Sequence, residues 1–214
     1  MSLRTKAIAL ILIILIADQT LKIWVKINMP FGKDIPLFGS WGIIHFVENN
    51  GMAFGMEWGG KIGKLALSLF RIVAIIGIGW FINRRINHNS HWGLVLALSA
   101  IFAGALGNMI DNMFYGMIFS ESSFRQSAVM FPSGGGYSSF LYGKVVDMLY
   151  FPIFDTNFPN WFPIRAGERF IFFRPVFNIA DLAVSCGIIS IFLFRNKMFT
   201  IIEDITFWHC EVSE

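Results

Sequence analysis

Four stretches of this chain, 7–25, 65–82, 92–110 and 176–194, are apolar and close to the roughly 20 residues a helix needs to cross a bilayer. Four such stretches leave few folds open. The 214 residues are 55% hydrophobic and only 14% charged, with a mean hydropathy of +0.60, and a soluble domain carries about 25% charged residues. So much apolar surface cannot be hidden in a soluble core. The expected fold is membrane all-α: a four-transmembrane-helix bundle over residues 1–214, one integral membrane domain. The connection at 83–91 is short and polar, whereas those at 26–64 and 111–175 are long. The run 41–47 is rich in Ile, Val and aromatics and predicts a small extracytoplasmic β-sheet. The Ser- and Gly-rich 119–143 reads as a flexible insertion in an extended outer loop. Phe, Trp and Pro crowd 151–173, as suits the headgroup level. The first apolar run lacks a small-x-small cleavage site and reads as a retained helix. Two cysteines, Cys186 and Cys210, make no disulfide framework. A net charge of +3 with no basic stripe gives no reason to expect nucleic acid.

Asp18, Asn108, Asp111, Asn178 and Asp181 sit in or at the ends of these apolar stretches. An ionised carboxylate at the centre of a membrane helix costs roughly 2.5 to 3.5 kcal/mol on insertion scales. Alternating spans bring the end of the first, the end of the third and the start of the fourth to one face of the membrane, so all five residues share that face. Arg4, Lys6, Arg84, Arg85, Arg195 and Lys197 share the other. Short basic connections mark the cytoplasmic side, which puts both termini inside and the acids near the outer leaflet. A plain count of Lys and Arg over the long loops opposes this; the first helix and the Arg84-Arg85 hairpin decide it. Arg71, alone in the second span, snorkels or faces the bundle.

Two neighbouring carboxylates share one proton. The ionised one takes a proton from water as the water attacks a peptide carbonyl, and the protonated one later supplies the leaving amine. Asp181 is one candidate. Asp111, Asp147 and Asp18 are each possible partners on the chemistry alone. Asp18-Gln19-Thr20-Leu21-Lys22, Asn49-Asn50-Gly51-Met52-Ala53-Phe54, Gly104-Ala105-Leu106-Gly107-Asn108-Met109-Ile110-Asp111, Val145-Val146-Asp147 and Phe177-Asn178-Ile179-Ala180-Asp181 occur in that order. In these five blocks the chain resembles the lipoprotein signal peptidases (signal peptidase II) from about residue 17 to 187. The resemblance implies an aspartyl endopeptidase of the bacterial inner membrane that cuts the signal peptide from diacylglyceryl-modified prolipoproteins, just before the lipidated cysteine. It maps the catalytic aspartates to Asp147 and Asp181, and the supporting residues to Asp18, Lys22, Asn49, Gly51, Asn108, Asp111 and Asn178. Asn112 stands where the family block usually continues with Arg, so either another basic residue, such as Lys22 or Arg174, supplies a charge there or the site tolerates its loss. The stretches 111–147 and 147–181 are longer than the family norm.

Plainer roles stand beside these. Asp18 and Lys22, at i and i+4, predict an ion pair that is structural first. Asn108, Asp111 and Asn178 suit interhelical hydrogen bonding, and Gly51 suits a turn with positive φ. His88 and His91 lack a third ligand nearby, and an aspartyl pair calls for no metal or organic cofactor. The expected partners are lipidated precursors arriving sideways through membrane lipid, and nothing demands more than a monomer. The rival function is a small proton-coupled transporter or ion-pathway subunit, since intramembrane acids also relay protons. A relay needs polar residues through the membrane's depth, and the inner halves of these spans have almost none.

Overall fold

The computed structural model describes residues 1–39, 41–50, 60–88, 90–152, 154–157, 167, 169–172 and 175–210, with side chains except in 154–157, 169–172 and 198–210. Gly51 and Arg174 lie outside the described residues. Among the described residues, four helices are long and apolar enough to cross a membrane. Helix α1 is Leu3–Asn28, α2 is Gly60–Asn87, and α3 is Trp92–Ile110. The Ser2 hydroxyl caps α1 by accepting from the Thr5 N–H, and a His91 ring nitrogen caps α3 by accepting from the Gly93 N–H. Helix α3 packs against α1, α2 and α5 (Ile179–Cys210) and forms the centre of the bundle. Over half of its apolar window (56%) is inside the protein, against 17%, 11% and 17% for the other three spans, whose outer faces are left for lipid.

The first two helices run three to five residues past the expected spans 7–25 and 65–82 at each end, the last runs past 194, and two further shifted boundaries bear on the site. The third span does not stop at Ile110. It continues as a π-helical turn, Asp111–Tyr115, and a last turn α4, Gly116–Ile118. Polar Asp111 and Asn112 suggest a loop, but both are buried and find partners inside the bundle, so the helix need not end there. The fourth span starts three residues later than expected, because Val176–Phe177 form a strand and Asn178 caps the helix.

On the side of the bundle where α1 ends and α5 begins lies a four-stranded antiparallel sheet in the order β1-β2-β3-β6. Its strands are β1 Asp34–Phe38, β2 Gly42–Asn49, β3 Val145–Tyr150 and β6 Val176–Phe177; β4 Phe154–Asn157 and β5 Arg169–Phe172 pair separately. Val146 and Met148 alternate on one face of β3 and are fully buried with Val25, Met29, Phe46, Tyr115 and Phe119. Asp147 therefore points the other way. Residues 119–143, expected to be a flexible insertion, are tied to this core. The Ala128 N–H donates to the Lys26 carbonyl, Tyr137 N–H to Phe119, and Ser138 N–H to Gly116. Backbone pairing and the burial of Phe119 and Ala128 hold the segment despite its glycines.

Candidate active site

Asn178 and Asp181 form a reciprocal cap on α5. The Asn178 side-chain oxygen accepts from the Asp181 N–H at 2.9 Å, and the Asp181 carboxylate accepts from the Asn178 N–H at 3.2 Å. This fixes both side chains at the first turn, where the helix dipole favours an acid. The Asn178 amide, fully buried, also donates to Asp147 at 2.7 Å and lies 3.1 Å from the Asn108 oxygen. Asn108 in turn donates to Asp181 at 2.8 Å. Asp147 and Asp181 are thus joined through two amides, one from the start of α5 and one from the end of α3. Antiparallel pairing of β2 with β3 sets Val47 opposite Asp147, and two residues on, Asn49 reaches Asp147 at 3.4 Å. Burial and then the charge of Asp181 push the Asp147 carboxyl up to about 7.

Asp18, Lys22 and Asp111 form a second cluster. Lys22 pairs with Asp18 at 2.9 Å and with Asp111 at 2.8 Å, and all three are buried. Lys22 also donates to the Asn108 oxygen at 2.9 Å, which ties this cluster to the aspartates. The other oxygen of Asp18 accepts from the Ala180 N–H at 2.9 Å, within the first turn of α5. Asp111 accepts from the Val146 N–H at 3.3 Å, next to Asp147 in β3. One lysine with two acids therefore pins α1, α3, α5 and β3 around the site. Lys22 supplies the charge beside Asp111. Asn112 contributes differently: its amide lies 2.6 Å from the Ser68 hydroxyl of α2, and with its oxygen turned there its nitrogen donates to the carbonyls of Gly143 and Leu141.

The helices approach closely enough for these contacts because α3 carries glycine where it meets its neighbours. A Cβ on Gly104 would lie 2.2 Å from the Ala180 carbonyl oxygen, and one on Gly107 would lie 2.9 Å from an Asp18 carboxylate oxygen.

Of the residues singled out in the sequence, Asp18, Lys22, Asn49, Asn108, Asp111, Asp147, Asn178 and Asp181 come together here. Four others were not anticipated. The Gln19 amide donates to Asp111 at 2.9 Å, to Asp18 at 3.1 Å and to the Gly107 carbonyl at 3.2 Å, while its oxygen accepts from the Tyr115 hydroxyl at 3.1 Å. Its place directly after Asp18 in the first block was the available signal. Lys26 is fully buried and ion-paired with Glu48 on β2. Burial pushes Glu48 up, but Lys26, Ser122 and Lys144 outweigh it and hold the carboxyl below the usual range. Nothing local in the sequence marks Lys26 as buried.

A cavity of about 370 Å³ opens beside Asp181. Its lining comes from α2 (Arg71, Ala74, Ile75), α3 (Ala105, Asn108) and α5 (Asp181, Val184, Ser185). Arg71 faces the bundle. Among the described residues, no group of three or more His, Cys, Asp or Glu side chains could hold a metal ion.

The family of signal peptidase (SPase) II matches residues 10–196. A lipoprotein signal peptidase of Porphyromonas gingivalis is 46% identical over 92% of this chain and 85% of its own length. One of Amoebophilus asiaticus is 36% identical over 85% of this chain and 74% of its own. A solved structure titled "Bacterial membrane enzyme structure by the in meso method at 1.9 A resolution" shares the fold, with a TM-score of 0.57 at 22% identity over 88% of this chain and 91% of that one. The transporter alternative is set aside by this family. The chain belongs to the signal peptidase II family and is a multi-pass membrane peptidase.

Proposed function

We propose that this peptidase removes the signal peptide from diacylglyceryl-modified prolipoproteins by cutting before the lipidated cysteine, with Asp147 and Asp181 as the catalytic pair. The observation that carries this reading is their linkage through one buried residue, Asn178, whose side chain donates to Asp147 and whose backbone N–H donates to Asp181, with Asp181 lining a cavity between the helices. Asp147 holds the shared proton, consistent with its displacement to about 7. Asp181, half-buried beside the cavity, takes a proton from the attacking water. The water oxygen bonds to the scissile carbonyl carbon, whose oxygen accepts a hydrogen bond from Asp147. The C–N bond then breaks, and the cysteine nitrogen leaves as an amine with a proton from the pair. Two acids and water suffice, with no cofactor.

Asn108 and Asn178 hold the aspartates; Asp18, Lys22 and Asp111 hold the elements that carry them. Asn49 and Gly51 belong, by the resemblance, to the substrate-binding or supporting residues. The termini are cytoplasmic and the site faces the outer leaflet of the bacterial inner membrane, so a precursor enters from the lipid with its acyl chains still there. One copy of the chain carries every group used. The test is purified protein mixed with a diacylglyceryl-modified prolipoprotein and, in parallel, its unlipidated form. Release of the signal peptide from the lipidated form alone is expected. No release, or equal release from both, overturns the reading.

A further inference from the structure

Arg71 is the one charged residue between Lys64 and Arg84 in α2. A guanidinium at that depth costs a few kcal/mol to insert and marks a site by default. It is half-buried and lines the same cavity as Asp181, near enough to feel that carboxylate's charge. Ala74, Ile75, Ala105 and Val184 make most of the remaining wall apolar. The Asn108 amide in the lining is engaged, its nitrogen with Asp181 and its oxygen with Lys22 and Asn178. The cavity thus combines apolar walls with a side chain that has five N–H donors and no acceptor.

A ligand that fits has apolar chains and neutral acceptor oxygens close to the bond being cut. On the proposed function, which this inference rests on, the substrate has both. The glyceryl thioether sulfur is only three bonds from the nitrogen released, and each acyl chain is attached through an ester. We propose that Arg71 is a specificity-determining residue that donates hydrogen bonds to the glyceryl ester oxygens of the substrate, opposite Asp181. Other charged groups near Asp181 have different work: Asp147 lies on the β3 side, and Lys22 from α1 is engaged by Asp18 and Asp111.

Two lipopeptides test it, alike except that one carries a diacylglyceryl group and the other the dialkyl ether, which lacks the ester carbonyls. A hydrogen bond to a charged group contributes roughly 1.5–3 kcal/mol, a factor of about 10 to 160. Wild-type protein should therefore lose about tenfold or more in kcat/KM from diester to diether, chiefly through KM. Arg71→Met should lose that factor on the diester and show no further loss on the diether. Arg71→Lys should recover part of it. If Arg71→Met lowers kcat on both peptides alike, Arg71 acts on Asp181 instead and the proposal is overturned. It is also overturned if Arg71→Met cleaves the diester as wild type does, or if Arg71→Met and Arg71→Gln both fail to show a folded melting transition in detergent. If wild-type protein cleaves neither peptide, the proposed function itself falls, and this inference with it.

Discussion

Asp147 is 6% exposed, and burial with the nearby Asp181 charge pushes its carboxyl from 3.8 up to about 7. Between those values the folded protein holds a proton that the unfolded chain gives up. The stability Asp147 contributes is therefore fully present below about 3.8 and lost as pH rises through about 7. Asp147→Asn removes this dependence. At pH 8 it should melt above wild type in detergent, by at most a few kcal/mol, and near pH 4 the two should nearly coincide. Equal melting at pH 8 would show that the carboxyl is not held protonated. Function should move the other way. Asp147→Asn and Asp181→Asn should each leave under a few per cent of peptide release, since an amide cannot transfer the proton and such a group contributes about 10²–10⁴-fold. Retention of substantial release by either variant, in a lipoprotein-processing assay, excludes that residue from the catalytic pair. With Asp147 as the acid, wild-type kcat/KM should fall as pH rises above about 7.

Elements are held by a few contacts at their ends. Lys22 neutralises both Asp18 and Asp111, so Lys22→Met leaves two buried acids without their cation. Breaking a buried pair from one side costs about 3–5 kcal/mol. Asp18→Asn keeps the Lys22–Asp111 pair and an oxygen for the Ala180 N–H. It should lower the melting temperature less than Lys22→Met and reduce activity only in part. If Asp18→Asn melts like wild type yet is as inactive as Asp181→Asn, its role is catalytic and not structural. The seam of α3 and α5 is equally exact. A methyl on Gly104 meets the backbone oxygen of Ala180, whereas one on Gly107 meets the end of the Asp18 side chain and the Ala180 methyl. Backbone cannot step aside as a carboxylate can. Gly104→Ala should therefore lose more thermal stability than Gly107→Ala, as detergent melts of the two variants will show.

For the whole molecule, the proposed orientation predicts which ends of the helices meet the periplasm. In a background with Cys186 and Cys210 replaced by Ser, a cysteine at Arg125 should react with an impermeant maleimide added outside the inner membrane, and one at Asn87 should not. The reverse pattern would invert the orientation. Much of this molecule is legible in its residues. Hydropathy marks the four spans, β-branched and aromatic runs mark β2, and five short blocks mark the family. Those signals are local, and lipid enforces them segment by segment. Other features were hidden because they depend on how distant segments rotate and settle against each other. The Asp18–Ala180 bond spans 162 positions and the Asn178–Asp147 bond 31. Asp111 and Asn112 read as the start of a loop because single-chain polarity cannot foresee buried partners on α1 and α2. Lys26 read as a loop cation for the same reason, until Glu48 on β2 came to face it. By itself the sequence determined a four-span membrane peptidase with its acids toward one face, because span length and polarity are set residue by residue. Only the tertiary structure decided that Lys22 bridges Asp18 and Asp111, that Asn178 joins Asp147 to Asp181, and that Arg71 shares a cavity with Asp181, because each depends on helix rotation and depth fixed by packing.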